Sequence, residues 1–583
     1  MIWGKYSFLQ LKHAEKQSKN VDKKNAIKLA VMGDCATQHL ATAVSGCAFI
    51  EDLSLTCFDV DYNQIDAQLL DSGSELFNFN PDVLLLCLCT EKLYEKFVKT
   101  PLSDRAAFSE SEASVIENYW NKFAYTNNRG RVFQLNFPEY NDAVFGNYAC
   151  KVQSSFLYQL RKLNLLIMEK ASEHKNVYIV DVASIQNCMG RESFADSKLF
   201  YIAKMPFSLN ALPLIAENIV NNLKVVKGQF KKCLVCDLDN TLWGGVIGDD
   251  GLDGIQIGEL GLGRAFSALQ VYIKELKNRG IIIAVCSKND DANAKLPFEK
   301  HPDMVLRLSD ISIFVANWND KAENIKYIQK TLNIGMDSIV FIDDNPFERN
   351  LVKSMIPEVT VPELPEDPAQ YLSYLQSLNL FETTSFSDED VSRTKQYQAE
   401  VKRTETQQAF ENYDEYLKSL EMKAVVKPFD SFQTPRIAQL TQRSNQFNLR
   451  TIRYNESEIS EISKNEKFIT LYFTLKDKFG EHGLISVVIL EKRDSETLFV
   501  SEWLMSCRVL KRGMEEFIVN KIVDTARSNG YKLVVGEYIP TPKNSMVKDL
   551  YEKLGFERTG ENLFSVKTSD FTKNKTYISE ESL

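Results

Sequence analysis

Residues 232–241 read Lys-Cys-Leu-Val-Cys-Asp-Leu-Asp-Asn-Thr, and this stretch decides the fold of the middle of the chain. Its apolar run 233–236 predicts a buried strand, and Asp237 and Asp239 follow at the carboxyl end. Open α/β sheets place their ligands at that edge, and residues two apart on extended backbone point to the same side. We therefore expect both carboxylates to face one site, where one attacks phosphorus and the other handles the leaving-group proton.

A second acidic pair, Asp343-Asp344, also follows an apolar strand pattern, at residues 338–342. A Mg²⁺ ion held by carboxylates and phosphate oxygens would neutralise the charge between the two aspartate clusters. Ser287 ends another predicted strand, and Lys321 opens a predicted helix. A hydroxyl and an ammonium group at these places can hold phosphoryl oxygens as charge redistributes.

The four motifs, in this order, resemble the signature of the haloacid dehalogenase superfamily. More narrowly, three stretches are similar to its FkbH-like members, subfamily IIIC: 237–248, 286–289 and 341–346. The resemblance implies a magnesium-dependent phosphatase that works through an aspartyl-phosphate intermediate. It assigns a role to each motif residue: Asp237 as nucleophile, Asp239 as general acid/base with its backbone carbonyl on magnesium, Thr241 as support for the phosphate-binding loop, Ser287 and Lys321 as phosphate ligands, and Asp343 and Asp344 as metal ligands, directly or through water.

The spacing of these motifs bears on the substrate. Asp237 and Ser287 are 50 positions apart (287 − 237), which is too few for a large inserted cap domain. A capless site is open, and it could admit a phosphoryl group attached to something large, such as a carrier-protein arm. A partner domain could still serve as the lid.

Composition limits the remaining possibilities. A chain of 583 residues is long enough for about three to four domains, and its 44% hydrophobic and 25% charged residues are typical of a globular protein. The net charge of −10 argues against a general nucleic-acid binder. No apolar run reaches the roughly 18 residues of a membrane span. Eleven scattered cysteines, several inside apolar runs, indicate reduced thiols and a cytoplasmic location.

Strand and helix patterns divide the chain into four parts, for an overall α/β class. They are an α/β domain at 1–225, a central doubly wound domain at 226–368, a helical connector at 369–424 and an α+β domain at 425–583. Apolar runs predict the strands: 27–32, 83–89, 132–138, 177–182, 232–237, 281–287, 304–306, 338–343, 468–475, 484–490 and 497–505.

The first domain resembles the SGNH hydrolases through Gly33-Asp34-Cys35 and the stretch 136–138. That family has a serine nucleophile where Cys35 stands, and a thiol could form an acyl thioester. His39, four residues later, would activate Cys35 if both lie on one helix face. The family's terminal Asp-x-x-His block is not matched, since 196–199 ends in leucine. A structural role for Cys35 is the alternative to catalysis.

The C-terminal domain resembles a GNAT-type acetyltransferase fold through residues 506–514, Asn544 and 550–556. In that fold, backbone N–H groups and a helix N-terminus cradle the coenzyme A pyrophosphate. The residues at this loop are Arg508, Lys511, Arg512 and Gly513. Lys511 occupies a family glycine position, so the loop either binds CoA or only docks a thioester-bearing phosphopantetheine arm. Residues 439–454 also resemble the FkbH-like family and could line an interface or form a solvated helix.

The FkbH-like resemblance implies that a glyceryl-like acyl group passes from 1,3-bisphosphoglycerate to an acyl carrier protein. Phosphate removal would use Asp237, whereas acyl transfer needs a thiol, and Cys286 and Cys507 are candidates beside Cys35. A place in the buried core is the alternative for both, and alternation along the strand favours it for Cys286. Two alternatives remain open: a plain phosphomonoesterase, or an acyltransferase-like binding module for which the other domains are a scaffold.

Overall fold

A computed structural model describes residues 4–21, 26–386, 390, 393–408 and 410–581. The chain forms two compact units. Unit 1 runs to Lys227 and includes Asn455–Glu458, and unit 2 holds the rest from Gly228 onward. The predicted central and C-terminal domains therefore share unit 2, where each has its own sheet.

Unit 1 is built on a parallel sheet of five strands in the order β2-β1-β3-β4-β5. The strands are β1 Ile27–Gly33, β2 Leu55–Asp59, β3 Val83–Cys87, β4 Arg131–Leu135 and β5 Val177–Val180. The odd-numbered hydrophobic residues of β1 and β3 pack in one cluster and the even-numbered ones in another. Both faces of the sheet are therefore covered, as is usual for parallel sheets. The helices of this unit are Phe8–Ser18, Gln38–Ile50, Ile65–Leu70, Glu75–Phe79, Thr90–Lys99, Phe108–Thr126, Phe156–Glu173, Val182–Met189, Arg191–Phe194, Ser197–Ala203 and Leu212–Val226.

The first sheet of unit 2 has four parallel strands in the order β8-β7-β6-β9. They are β6 Cys233–Cys236, β7 Ile282–Ser287, β8 Ile313–Ala316 and β9 Ile339–Ile342. Because all four run in the same direction, the residues after β6, β7 and β9 meet at one edge. The accompanying helices are Ile247–Gly254, Gly263–Asn278, Asp291–Lys300, Lys321–Leu332 and Pro346–Met355, followed by Tyr371–Ser377, Arg393–Gln408 and Tyr413–Ser419.

One predicted strand of this sheet was wrong. Residues 304–306 have no strand conformation, and the sheet uses Ile313–Ala316 instead. The N–H groups of Val305 and Leu306 both donate to the Gln270 side-chain carbonyl, at 3.1 Å each. The buried side chain of Gln270 thus satisfies backbone donors that a strand would satisfy by pairing.

The second sheet of unit 2 has eight strands of mixed direction, in the order β15-β16-β14-β13-β12-β11-β10-β17. The strands are β10 Lys423–Lys427, β11 Phe468–Asp477, β12 Gly480–Lys492, β13 Thr497–Met505, β14 Leu533–Glu537, β15 Glu557–Arg558, β16 Leu563–Lys567 and β17 Ser579–Glu580. The helices are Thr434–Arg443, Glu456–Lys464, Met514–Ser528 and Leu550–Lys553. The predicted hairpin around 480–483 is confirmed as the β11–β12 pair.

The chain itself fills a gap in this sheet. β13 pairs with β14 only along its first half. Beyond that point, Leu449 N–H donates to the Trp503 carbonyl (3.2 Å) and Met505 N–H to the Phe447 carbonyl (3.0 Å). On the other side, Ile539 N–H donates to the Leu449 carbonyl at 2.8 Å. The stretch 439–454 therefore begins in the helix Thr434–Arg443 and contains a strand-like insert at 447–449, so it is not a solvated helix throughout.

The α/β class with several sheets is confirmed, and the division into four parts stays a prediction. Among the residues described, none of the helices combines the length and the apolar character needed to cross a membrane.

Candidate active site

A buried ion-pair cluster lies at the carboxyl edge of the four-stranded sheet. The Nζ atom of Lys321 is 2.9 Å from a carboxylate oxygen of Asp237 and 2.5 Å from one of Asp343. Asp237 follows β6, Asp343 follows β9, and Lys321 begins the helix after β8. The sheet thus brings three motifs that are distant in sequence into direct contact.

The charges in this cluster shift one another's titration. Burial disfavours the ammonium form of Lys321, but Asp237 and Asp343 outweigh it, so the pKa of Lys321 is raised. Burial, followed by the negative charge of Asp237, raises the pKa of Asp343 to about 7. The same two causes raise the pKa of Asp344. These aspartates crowd one another, and a further cation would relieve them.

Thr241 and Asp344 connect the first and last motifs. The Thr241 hydroxyl lies 3.2 Å from the Asp344 carboxylate and accepts the Asp344 N–H at 3.0 Å. Thr241 is fully buried, so water does not compete for these hydrogen bonds. The threonine therefore fixes the loop that carries the aspartate pair, and its part in phosphate binding stays a prediction.

The Asp239 carboxylate lies outside the cluster of Asp237, Asp343 and Asp344. One carboxylate oxygen accepts the indole N–H of Trp243 and the backbone N–H of Ile247, both at 3.0 Å. The other accepts the side-chain N–H of Asn289 at 3.0 Å. Burial is the main cause that raises the pKa of Asp239, and Asp237 adds to it. A carboxyl group with a raised pKa is suited to general acid/base work.

Sequence reasoning assigned no role to three of the residues that shape this site. Trp243 and Asn289 lie within the family-like stretches and orient Asp239. Arg349 is buried, and its Nη1 donates to the backbone carbonyls of Asp343 (2.8 Å) and Asp344 (2.6 Å). Arg349 follows Asp343 by six residues and lies on the helix Pro346–Met355. This position was a weak signal for a role in the site, because arginines are common on exposed helices.

The three carboxylates fit a divalent metal ion. One oxygen from each of Asp237, Asp343 and Asp344 lies within 4.8 Å of the others. Carboxylate oxygens are the ligands that Mg²⁺ prefers, and it is usually bound through few of them with substrate oxygens completing the shell. The Asp239 carboxylate is not part of this cluster.

Ser287 is buried at the end of β7, and the chain between it and Asp237 forms no cap domain. That segment, all of it described, contains the helices Ile247–Gly254 and Gly263–Asn278. The site is therefore not closed by an insertion at this point of the chain.

The three candidate thiols differ in their surroundings. Cys286 is fully buried, and burial raises its pKa. Cys35 is also buried, and its Sγ lies 3.6 Å from that of Cys87, whose hydrogen bond is the main cause that raises the pKa of Cys35. The ring of His39 stacks on Phe8, with centroids 5.3 Å apart. Cys507 is partly exposed.

The predicted CoA loop has its cationic side chains turned to other partners. Arg508 donates to Gln396, and Arg512 donates to Glu400. The carboxylate of Glu515 accepts the backbone N–H of Lys511 at 3.2 Å. Lys511 takes a left-handed conformation (φ 62°) and Gly513 another (φ 78°).

This geometry, a lysine among carboxylates at the edge of a parallel sheet, defines the class: an α/β protein with a buried carboxylate–lysine site. Residues 28–224 match the model of the FkbH N-terminal domain. The chain is also 46% identical to the N-terminal part of a Bacteroides fragilis protein that contains a phosphatase domain and was crystallised with Mg. That match covers 65% of this chain and 100% of the other, with a TM-score of 0.62. The chain belongs to this FkbH-like family.

Two acetyltransferases match a smaller part of the chain. The ribosomal-protein-S18-alanine N-acetyltransferase of Escherichia coli is 13% identical, covering 26% of this chain and 98% of its own, with a TM-score of 0.20. A Vibrio cholerae spermidine N-acetyltransferase, solved with CoA and spermine, is 13% identical, covering 25% and 96%, with a TM-score of 0.21. No curated protein matched the chain.

Proposed function

We propose that the chain is a magnesium-dependent phosphatase of the haloacid dehalogenase type, coupled to transfer of an acyl group to a carrier-protein thiol. The observation that carries the first half is the Lys321 ammonium bonded between Asp237 and Asp343. The Bacteroides fragilis relative, with its phosphatase domain and Mg, supports the same reaction.

The chemistry follows from the placement of the side chains. A carboxylate oxygen of Asp237 attacks phosphorus, and the bond between phosphorus and the leaving oxygen breaks. Asp239, whose pKa is raised, donates a proton to that leaving oxygen. Asp239 then takes a proton from water, which attacks phosphorus, releases inorganic phosphate and regenerates Asp237.

Charge in this reaction develops on the phosphoryl oxygens. Lys321 presents a buried ammonium group to them, next to the nucleophile. Asp237, Asp343 and Asp344 would hold Mg²⁺, which supplies Lewis-acid stabilisation of the phosphoryl group when bound. The Arg349 guanidinium keeps the two metal-binding aspartates in place through their backbone carbonyls.

The acyl-transfer half rests on the family. Membership of the FkbH-like family supports a substrate with both an acyl phosphate and a phosphate ester, such as 1,3-bisphosphoglycerate, and a carrier thiol as acceptor. The carrier thiolate attacks the acyl carbon, the bond from that carbon to the phosphate oxygen breaks, and inorganic phosphate leaves. Asp237 acts separately, on the phosphorus of the ester. The absence of a cap between residues 237 and 287 supports a substrate attached to a large partner. A plain phosphomonoesterase would use the same central site, and an acyltransferase-like binding module would not need it.

Asp237→Asn tests the reaction. It should abolish phosphate release from p-nitrophenyl phosphate, because it removes the attacking carboxylate. Asp239→Asn is the matched variant: turnover should fall by roughly 10²–10⁴-fold. Since p-nitrophenolate leaves without needing a proton, the protein should still gain the mass of one phosphoryl group. Unchanged turnover in Asp237→Asn would refute the proposed nucleophile.

The acyl half has its own test. Intact-mass measurement after incubation with an acyl phosphate and a carrier protein should show an acyl adduct on the carrier thiol. Release of phosphate with no adduct on either protein would leave a plain phosphatase and overturn the transfer.

A further inference from the structure

A second polar cavity lies at the other edge of the four-stranded sheet. Its wall includes Lys232, just before β6, and Ser338, just before β9. Asp237 follows β6 at the opposite end, and the intervening strand spans roughly 16 Å at 3.3 Å per residue. The cavity is therefore separate from the Asp237 site.

The eight-stranded sheet supplies the facing wall of this cavity. Met505 at the end of β13, the turn 506–508 and the loop residues 542–543 all line it. The FkbH-like stretch contributes Leu440 and the run 443–447. The cavity has a volume of about 380 Å³, which is within the range of sites for small organic ligands.

The lining is strongly cationic. Two acidic side chains line the cavity, Asp337 and Glu358, and Asp390 lies behind it, bonded to two of the lining arginines. Among the described residues, cationic side chains therefore outnumber acidic ones around this cavity. The six cationic residues that line the cavity are Lys232, Arg393, Arg436, Arg443, Arg508 and Lys543.

These cations are crowded and poorly hydrated. Burial, followed by the charge of Arg393, lowers the pKa of Arg443 to about 9. Burial is also the main cause that lowers the pKa of Lys232, to which Arg393 and Arg443 add. The Lys232 ammonium donates to the backbone carbonyl of Arg443 at a long 3.4 Å. An anion in the cavity would relieve both groups.

We propose that this cavity binds a phosphate-bearing organic molecule. Arginine forks bind phosphate oxygens in pairs, and four arginines and two lysines around one cavity offer more donors than a single carboxylate can accept. A free phosphate ion would leave most of the 380 Å³ unfilled. The site goes beyond the proposed function and does not depend on Asp237.

Cys507 provides a reporter inside the cavity. Its side chain is one of the lining groups and is partly exposed, so a small alkylating reagent can reach it. Cys150 and Cys188 are exposed in unit 1 and serve as internal controls in the same sample. A ligand in the cavity should slow alkylation of Cys507 and leave the other two unchanged.

The experiment uses the full chain in EDTA, both wild type and Asp237→Asn. Under these conditions the central site does not hydrolyse the probe, so hydrolysis does not affect the labelling of Cys507. The probes are glycerol 3-phosphate, glycerol and inorganic phosphate. Iodoacetamide labelling is followed peptide by peptide by mass spectrometry, and calorimetry gives Kd. We expect glycerol 3-phosphate to slow labelling of Cys507 several-fold and glycerol to have no effect.

Two substitutions in the cavity and one outside it test whether glycerol 3-phosphate binds in the cavity. Lys232→Met should weaken glycerol 3-phosphate binding by roughly tenfold or more, since it removes a charged hydrogen-bond donor. Lys543→Ser is a second test of binding should Lys232→Met fold poorly. Because Lys543 is partly exposed, its replacement should leave the fold intact. Lys532→Met, an exposed lysine outside the cavity, should bind as wild type does.

Two results would overturn the proposal. One is no protection of Cys507 by glycerol 3-phosphate, or protection that Lys232→Met and Lys543→Ser both leave unchanged. The other is inorganic phosphate binding as tightly as glycerol 3-phosphate, which would make this a site for the free ion. Loss of activity in Asp237→Asn does not enter this test, so failure here and failure of the proposed phosphatase are distinguishable.

Discussion

Replacing Lys321 with methionine should destabilise unit 2. Lys321 is 4% exposed, and its ammonium lies 2.9 Å from the carboxylate of Asp237 and 2.5 Å from that of Asp343. Methionine keeps the length and the apolar stem but removes the charge. The buried carboxylates would then face one another with no ammonium between them.

The size of the effect follows from the burial of the pair. Removing one partner of a buried ion pair costs about 3–5 kcal/mol. The carboxylates can escape part of this cost by taking up a proton. For a carboxyl with an ordinary pKa near 4, protonation costs about 1.4 kcal/mol at pH 5 and about 5 kcal/mol at pH 8. The loss in Lys321→Met should therefore be about 1–2 kcal/mol at pH 5 and about 3–5 kcal/mol at pH 8.

The sign of the pH effect is set by the carboxylates. The folded pKa of Asp343, already raised to about 7, rises further when Lys321 is absent. The folded protein then binds more protons than the unfolded chain above pH 4, so the free energy of unfolding falls as pH rises. Mg²⁺ should recover part of the loss, since its charge replaces that of the ammonium group.

Urea unfolding in EDTA at pH 5 and pH 8 measures these quantities, with a third series in Mg²⁺. The matched control is Lys295→Met, which breaks an exposed pair with Asp291 on the helix Asp291–Lys300 and should cost less than about 1 kcal/mol. A loss below about 1 kcal/mol for Lys321→Met at pH 8, or an equal loss at both pH values, would refute the reasoning.

Two further predictions concern the eight-stranded sheet. Glu502 is fully buried, and burial raises its pKa to about 8, so the folded protein loses stability as pH rises from about 4.5 to 8. Glu502→Gln should remove that dependence and raise the urea midpoint at pH 9 more than at pH 6; equal gains would count against it. Gly536→Ala should cost about 1–3 kcal/mol, because a Cβ there would meet the buried Tyr551 ring at 2.2 Å. Gly248→Ala, where a Cβ meets open space, is the control, and equal thermal midpoints for the two variants would contradict the clash.

The sequence was most informative where apolar runs end in charged residues. The strand before Asp237 was predicted to within one residue at each end, and β13 was predicted with its observed bounds. Buried parallel strands are continuous apolar runs, and the charged residue that follows marks the edge of the sheet. The carboxylate positions of the central site follow from those strand ends.

Short apolar runs were less informative. The run 304–306 and the strand Ile313–Ala316 are both short and apolar, and the hydrogen bonds that Gln270 accepts from residues 305 and 306 cannot be read from the sequence. The same holds for the donors to Asp239. Asn289 and Trp243 are 46 residues apart, and nothing in their spacing shows that they bond to one carboxylate.

Two places in the C-terminal half of unit 2 are candidates for binding an anion: the loop before the helix Met514–Ser528, and the cavity beside Lys232. They differ in the interactions that an anion would have to displace. In the loop before the helix Met514–Ser528, the Lys511 N–H already donates to Glu515, and Arg512 donates to Glu400. A diphosphate there would have to displace one carboxylate and accept the repulsion of another. In the cavity, the Lys232 ammonium holds a long bond to a carbonyl, and four arginines and two lysines line the same space. A phosphate group therefore loses less on entering the cavity than on entering the loop, and a carrier arm or coenzyme should be sought at the cavity first.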